Sequence, residues 1–515
     1  MIDKFISQIQ SAYQFSGESI LLGAGMLDGK VFAECPVTIP LKTINRHGLI
    51  AGATGTGKTK SLQLTAEQLS HKGVSCVLLD IKGDLSGIAL EGTQNQKIAE
   101  RSSLIGMEWI PQGNFVELLS ISDQKGARLR ATVSEFGPVL FSKILGLNDT
   151  QEGVISLVFK FCDDNGLLLL DLEDFKKVLQ FITNEGKEVI QKEFGTVSPA
   201  SVGTILRKII ELEQQGASKF FGERSFEVDD LIRTDRQGRG VISILRAADI
   251  QDKPKFFSTF MLQMLAEIYS KFPEAGDLEK PKLVFFLDEA HLLFEEATPA
   301  LLNQLETIIK LIRSKGIGLI FITQNPDDIP ESILGQLGLK IQHALRAFTA
   351  KDRKTIKAAS ENYPITEYYN VSQKITELGI GEAFVTALNE KGIPTALVQT
   401  MMCPPQSRMD VLSDSEMDNI CQSSEIAAYY NEEINRESAA EILQQKIDEA
   451  EQISQEQESE DERSGRKEKS TLDKIMGSTV TRQVGRTVAR ELTRGLLGMF
   501  GIKPKTTRRK KTGWF

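Results

Sequence analysis

The chain has 515 residues, enough for one large core or several domains, and its 41% hydrophobic and 25% charged content is that of an ordinary globular protein. A formal net charge of −9 excludes a uniformly basic nucleic-acid binder, and no run approaches the roughly 18 apolar residues that span a bilayer. Cys35, Cys76, Cys162, Cys403 and Cys421 form no C-x-x-C pair, and with four histidines they offer no zinc-ligand spacing. This predicts reduced thiols in a cytoplasmic protein; the amino terminus carries no apolar signal-peptide core.

Residues 1–47 read as a short β segment, with strands at Ile20–Gly25 and Lys30–Ile39 around Asp28-Gly29, too small to fold alone. Arg46 stands at the entrance to the next strand. It is either a solvated charge or a contact to phosphate or a neighbouring subunit. Gly48–Ala51 is a buried strand. It runs into Gly52-Ala53-Thr54-Gly55-Thr56-Gly57-Lys58-Thr59, which fits G-x-x-x-x-G-K-[ST], the phosphate-binding loop. Leu62, Leu64, Ala66 and Leu69 then recur as on a helix. In this strand–loop–helix context the glycines turn backbone N–H groups onto phosphates, and the helix amino terminus adds positive charge. Residues 52–60, including Lys60, are the expected ATP contacts, with Lys58 on the β- and γ-phosphates and Thr59 on Mg²⁺.

Val74–Leu79 is a second strand ending in Asp80-Ile81-Lys82-Gly83-Asp84. Asp80 and Asp84 lie where ligands sit in an open α/β sheet, or else cap a loop. The first part of the core is therefore 48–84. Residues 85–237 show helical spacing at Gln151–Cys162, Leu172–Asn184 and Val202–Gln214, with Ser198-Pro199 as a helix start. They read as a mostly helical insertion without a catalytic constellation.

The core resumes over 238–403, with a strand at Gly240–Leu245 and a helix at Lys255–Tyr269. The run Leu283–Leu287 then ends in Asp288-Glu289, the Walker B pattern. Asp288 is placed to hold Mg²⁺ and Glu289 to polarise the attacking water; His291 is placed to orient locally. The helix Pro299–Lys315 carries Arg313 at its end, where it either balances the helix dipole or projects across a subunit boundary. The strand Ile317–Thr323 delivers Gln324, a candidate γ-phosphate sensor. Lys340–Phe348 reads as a strand bearing His343 and Arg346. Gly381–Leu388 and Pro394–Met402 read as a closing β-hairpin, after which Pro404-Pro405 ends the globular region.

Residues 404–462 are an acidic helical and linker segment, in which Arg436 and Lys446 are nearly alone among acids beyond 431. In 463–515 the sign inverts. Arg482, Arg486, Arg490 and Arg494 line one helix face, with Val484, Val488, Leu492 and Leu496 opposite. This basic amphipathic tail fits nucleic-acid phosphates, an anionic membrane surface, or docking on the protein itself.

Taken together, GATGTGKT at 52–59, LDIKGDLSG at 79–87, LVFFLDEAHLLF at 283–294, LIRSKGIGLIFITQNPDDIP at 311–330 and HALRAFTAKD at 343–352 resemble the HerA–FtsK superfamily of P-loop motors. The resemblance is nearest to the bacterial HerA-like ATPases and spans about 50–403. It implies an α/β, RecA-like core, a hexameric ring, ATP hydrolysis and DNA as partner. It also implies Lys58 and Thr59 on the nucleotide, Asp288 on magnesium, Glu289 as base, Gln324 as sensor, Arg313 as a trans-acting finger and Arg46 as a second arginine near the phosphates. Two departures stand out: a short segment replaces the family's amino-terminal β-barrel, and the helical insertion is long. Asp288-Glu289-Ala290-His291 also spells a DEAH box, but no second RecA-like domain follows it, and no LSGGQ-like signature points to an ABC ATPase. The expectation is a Mg²⁺-dependent ATPase motor on DNA. The alternative is a nucleotide-gated assembly or membrane-surface switch without translocation.

Overall fold

The computed structural model describes residues 1–449 apart from 277, 296, 298, 348, 433 and 435; the basic tail read at 463–515 lies outside the described residues. Two units emerge among the described residues: one holds 1–130 and 224–433, and the other holds 131–223 with the described residues of 434–449.

The first unit is built on one twelve-stranded sheet. After helix α1 (Ile2–Tyr13) come β1 (Ser19–Leu27), β2 (Lys30–Pro40) and β3 (Gly48–Ala51), then α2 (Lys58–His71), β4 (Ser75–Asp80) and α3 (Gln96–Ile105). β5 (Val116–Ser120) and β6 (Ala127–Arg128) follow. The stretch read as a helical insertion therefore contributes two strands to the sheet. Val116, Leu118 and Leu119 are buried, which a sheet neighbour provides and an isolated loop could not.

The second unit holds α4 (Val133–Ile144), α5 (Asp149–Asn165), α6 (Leu172–Thr183), α7 (Lys187–Phe194), α8 (Pro199–Gln214) and α16 (439–449). Phe136, Phe141, Phe159, Phe175 and Phe221 meet in its core at tilted or edge-on angles. Buried Asp174 caps α6 and also accepts the Ala440 N–H at 2.9 Å, which seats the start of α16.

Returning to the sheet unit, β7 (Ile242–Arg246), α9 (Pro254–Lys271), β8 (Leu283–Leu287), α10 (Pro299–Ile312), β9 (Ile317–Thr323) and α11 (Glu331–Leu334) lead to β10 (Leu339–Gln342). Then come α12 (Ala350–Glu361), α13 (Val371–Glu377), β11 (Glu382–Thr386), β12 (Val398–Met402), α14 (Asp414–Ser423) and α15 (Glu425–Tyr430). The sheet order is β2-β1-β12-β11-β10-β3-β9-β8-β4-β7-β5-β6. From β10 to β6 neighbours are parallel; β11, β12, β1 and β2 add on antiparallel. The central strands are buried at every residue, as a sheet covered by helices on both faces requires.

β1 and β2 form one edge of the core sheet, β1 pairing with β12. Two expectations change. β10 stops at Gln342, because the chain then turns beneath the P-loop, where the Ala344 carbonyl accepts the Ala53 N–H at 2.8 Å. The ordered sheet unit also runs past Pro404-Pro405: Glu67 on α2, 1% exposed, accepts the N–H groups of Gln406 and Ser407 and ties that segment down. Among the described residues no helix is long and apolar enough to cross a membrane.

Candidate functional site

β3 sits between β10 and β9, all parallel, so its carboxyl end opens at the centre of one sheet edge. The loop that leaves it is held to both neighbours: Gly52 N–H reaches the Thr323 carbonyl and Ala53 N–H the Ala344 carbonyl. Gly52 has φ +152°, and a Cβ there would lie 2.6 Å from His343 Cβ; Gly57 has φ +118° and packs on Gly381. Only glycine satisfies both the backbone and the space.

Lys58 is buried, and its Nζ donates to the Gly52 and Ala53 carbonyls at 2.6 and 3.1 Å. Burial, and then the charge on Lys82, lower its pKa, while Glu289 and Asp288 oppose that shift. Thr56 Oγ1 closes the loop onto the Ala53 carbonyl. Lys60 turns away, its Nζ on the Met409 carbonyl at 2.5 Å, so only its backbone belongs to the loop. Beneath, His343 is fully buried and held down to about 4 by that burial, so it is neutral. Its Nδ1–H faces the Glu382 carbonyl, leaving Nε2 to accept from Ser61 Oγ on the first turn of α2.

β4 and β8 are adjacent and parallel, which brings their terminal acids to the same edge. Asp80 accepts the N–H groups of Gly83, Asp84 and Leu85 and is a loop cap. Asp84 Oδ2 lies 3.5 Å from Thr59 Oγ1. Asp288 is 4% exposed, and burial pushes its carboxyl up to about 6 against the opposing pull of Lys82. Glu289 adopts the left-handed conformation at φ 47°, strained for a residue with a side chain. Its Oε1 pairs with Lys82 Nζ, which also lies 3.9 Å from Asp288 Oδ2. His291 Nδ1 stands 3.3 Å from Glu289 Oε2. Lys82 escaped the sequence reading; its signal was a lone cation between two acids at a strand end facing the Walker B strand.

Asp288 Oδ2, Glu289 Oε2 and Asp84 Oδ1 are buried without a hydrogen-bond partner. Orphaned acidic oxygens beside a threonine hydroxyl fit a hard divalent cation such as Mg²⁺, which needs only one or two protein ligands beside phosphate and water. Among the described residues no group of three acidic, histidine or cysteine side chains forms an all-protein metal cage.

At the tip of β9, Gln324 is exposed and its Oε1 receives Thr54 Oγ1 at 3.4 Å, so it stands over the loop. Arg46 and Arg313 do not. They line a separate polar cleft of about 490 Å³ with Asn45, Glu274 and Glu390, at the amino ends of β3 and β9. The length of β3, about 13 Å, separates that edge from the P-loop. Buried His47, at φ 59°, fixes the cleft: its Nε2 meets the Ile309 carbonyl and its Nδ1 accepts the Leu319 N–H.

The fold and this edge define a P-loop NTPase with a RecA-like parallel core. The chain belongs to the HerA-like helicase C-terminal family, whose pattern matches residues 27–505. It is similar to the DNA double-strand break repair helicase HerA of Sulfolobus acidocaldarius, 24% identical over 70% of this chain and 66% of that protein. It is also similar to a probable helicase of Methanocaldococcus jannaschii, 23% identical over 69% and 66%. The chain thus spans just under two thirds of the length of these relatives. In fold it resembles the plasmid coupling protein TrwB solved with a non-hydrolysable ATP analogue: TM-score 0.51, 15% identity, covering 79% of this chain and 95% of that one.

Proposed function

We propose that the protein is a Mg²⁺-dependent ATPase that couples hydrolysis to movement along DNA as a ring, most simply a hexamer, in the cytoplasm. One observation carries the hydrolytic reading: the buried pair Asp288-Glu289 ends at the same sheet edge as the P-loop, each with one carboxylate oxygen lacking a hydrogen-bond partner, as has Asp84 beside Thr59. The family, whose relatives bear helicase names, supports DNA as the substrate. TrwB, solved with an ATP analogue, supports the nucleotide.

In this reading Lys58 and the loop amides beyond Ala53 hold the triphosphate, and Thr59 and Asp288 hold the cation. The bound Mg²⁺–nucleotide supplies the anhydride to be cleaved and screens its charge. Glu289 takes the proton of the attacking water, a role worth roughly 10²–10⁴ in rate. Gln324 orients that water. Arg313 and Arg46, remote from the chain's own loop, act on a neighbouring copy, which makes the oligomer part of the site.

Glu289→Gln tests the assignment. It is expected to keep ATP binding and to lose turnover at least a hundredfold. Unchanged hydrolysis would sink the catalytic role. DNA-stimulated, salt-sensitive ATPase activity in the wild type supports the motor. Indifference to DNA together with binding to anionic liposomes would replace it with a membrane-surface switch.

A further inference from the structure

We infer that the cleft beside the first turn of α2 seats the nucleobase, and that it grips a purine by apolar contact without choosing adenine over guanine. This rests on the reading of residues 52–59 as a triphosphate loop and says what lies beyond the phosphates.

A triphosphate held by the P-loop must send its sugar and base out past the first turn of α2. Gly57, Lys60 and Ser61 of that turn form one side of a cleft of about 270 Å³. Its other walls come from distant segments: Ile98 of α3, Ile380 and Met402 at the mouth of the hairpin, and Pro404, Pro405 and Met409 beyond it. Ile98, Met402, Pro404 and Pro405 are buried, while Ile380 is 72% exposed at the rim. Apolar walls with an isoleucine at the rim suit the two faces of an aromatic ring.

The walls are preformed. Arg101 clamps the rim through the carbonyls of Gly381 and Ile380, both at 2.9 Å, and of Met402 at 3.3 Å. Gly381 N–H binds the Thr56 carbonyl, which joins the hairpin mouth directly to the P-loop. The far wall is fixed by Trp109 on the Pro405 carbonyl, by Glu67 on Gln406 and Ser407, and by Lys60 on the Met409 carbonyl. A rigid slot lowers the ordering cost of binding.

The same bonds occupy most of the polar side chains. Arg101 and Lys60 point at backbone carbonyls, Ser61 at His343, and the Asn95 oxygen at the Ile98 N–H. The Asn95 amide nitrogen and Lys97, both exposed, stand at the rim. A site rejects an analogue strongly when buried polar groups lose their partners; an apolar slot discriminates weakly.

The test is equilibrium binding to the full-length protein with Mg²⁺, using non-hydrolysable ATP and GTP analogues and, as a probe without a base, inorganic tripolyphosphate. The two analogues are expected to bind within about tenfold of each other. Ile380→Asp and, independently, Met409→Ala are expected to weaken both analogues by about tenfold and leave tripolyphosphate unchanged. Preference for ATP beyond a hundredfold, or unaltered analogue binding in both variants, overturns the slot while the triphosphate reading stands. Failure of the wild type to bind tripolyphosphate and both analogues overturns both readings.

Discussion

Lys82 Nζ is paired with Glu289 Oε1, so the candidate general base carries its own cation. Lys82 follows β4 and Glu289 follows β8; the pair exists because those strands are parallel neighbours. A cation here compensates two buried carboxylates, and it lies near enough to Lys58 to lower that lysine's pKa.

Replacing Lys82 by Met removes the cation that pairs with Glu289 and faces Asp288. Lys82 is one third exposed, so the cost is discounted for screening to about 1 kcal/mol. Thermal unfolding should show the loss, and added Mg²⁺ should restore the variant more than it stabilises the wild type, since a divalent cation substitutes for the ammonium. Equal Mg²⁺ responses in the two proteins would remove Lys82 from the site.

Arg313 belongs with Arg46 in a cleft on the far side of β3 from the P-loop. Complementation reads whether it acts across an interface. Arg313→Ala and Glu289→Gln proteins should each be nearly inactive alone, since a finger is worth roughly 10³–10⁵ in rate. Mixed and allowed to exchange subunits, they should regain ATPase activity, because an intact Glu289 then meets an intact Arg313 at some interfaces. Activity no greater than the sum of the two rules out a finger supplied in trans.

Glu67 links pH to stability. Burial raises its pKa from 4.5 to about 7 while it holds Gln406 and Ser407. A folded-state value above the unfolded one means its contribution is complete below about pH 4.5 and is lost as pH rises through about 7. Relative to Glu67→Gln, which does not titrate, the wild type should lose roughly 3 kcal/mol between pH 4.5 and 8. Urea denaturation at both pH values measures it; parallel pH profiles in the two proteins would contradict the shift.

What could be read from the chain alone was local. The P-loop is one contiguous stretch, and its φ demands fall on glycines that announce them. Leu283–Leu287 ending in acids is equally self-contained. Gln324 was legible because a strand tip is a fixed place in a parallel sheet. What escaped depends on neighbours far along the chain. Lys82 acquires meaning only beside Glu289, and β5 only beside β7. His343 leaves its strand early because Ala53 needs the Ala344 carbonyl. The segment after Pro405 looked like an exit to a linker; a buried glutamate on α2 makes it a wall. α1 went unread, yet Phe5, Ile9 and Tyr13 bury one face of it.

The position of β3 between β9 and β10 has a consequence for synthesis. The strand that launches the P-loop is made early, but both of its hydrogen-bonding neighbours lie beyond residue 316. On the ribosome it has no partner until β9 emerges at residue 323 and lacks its second until residue 342, whereas helices α4 to α8 are complete by residue 214. Helices α4 to α8 are therefore free to gather before β3 has a neighbour, and the nucleotide loop takes its shape only once β9 and β10 have been made.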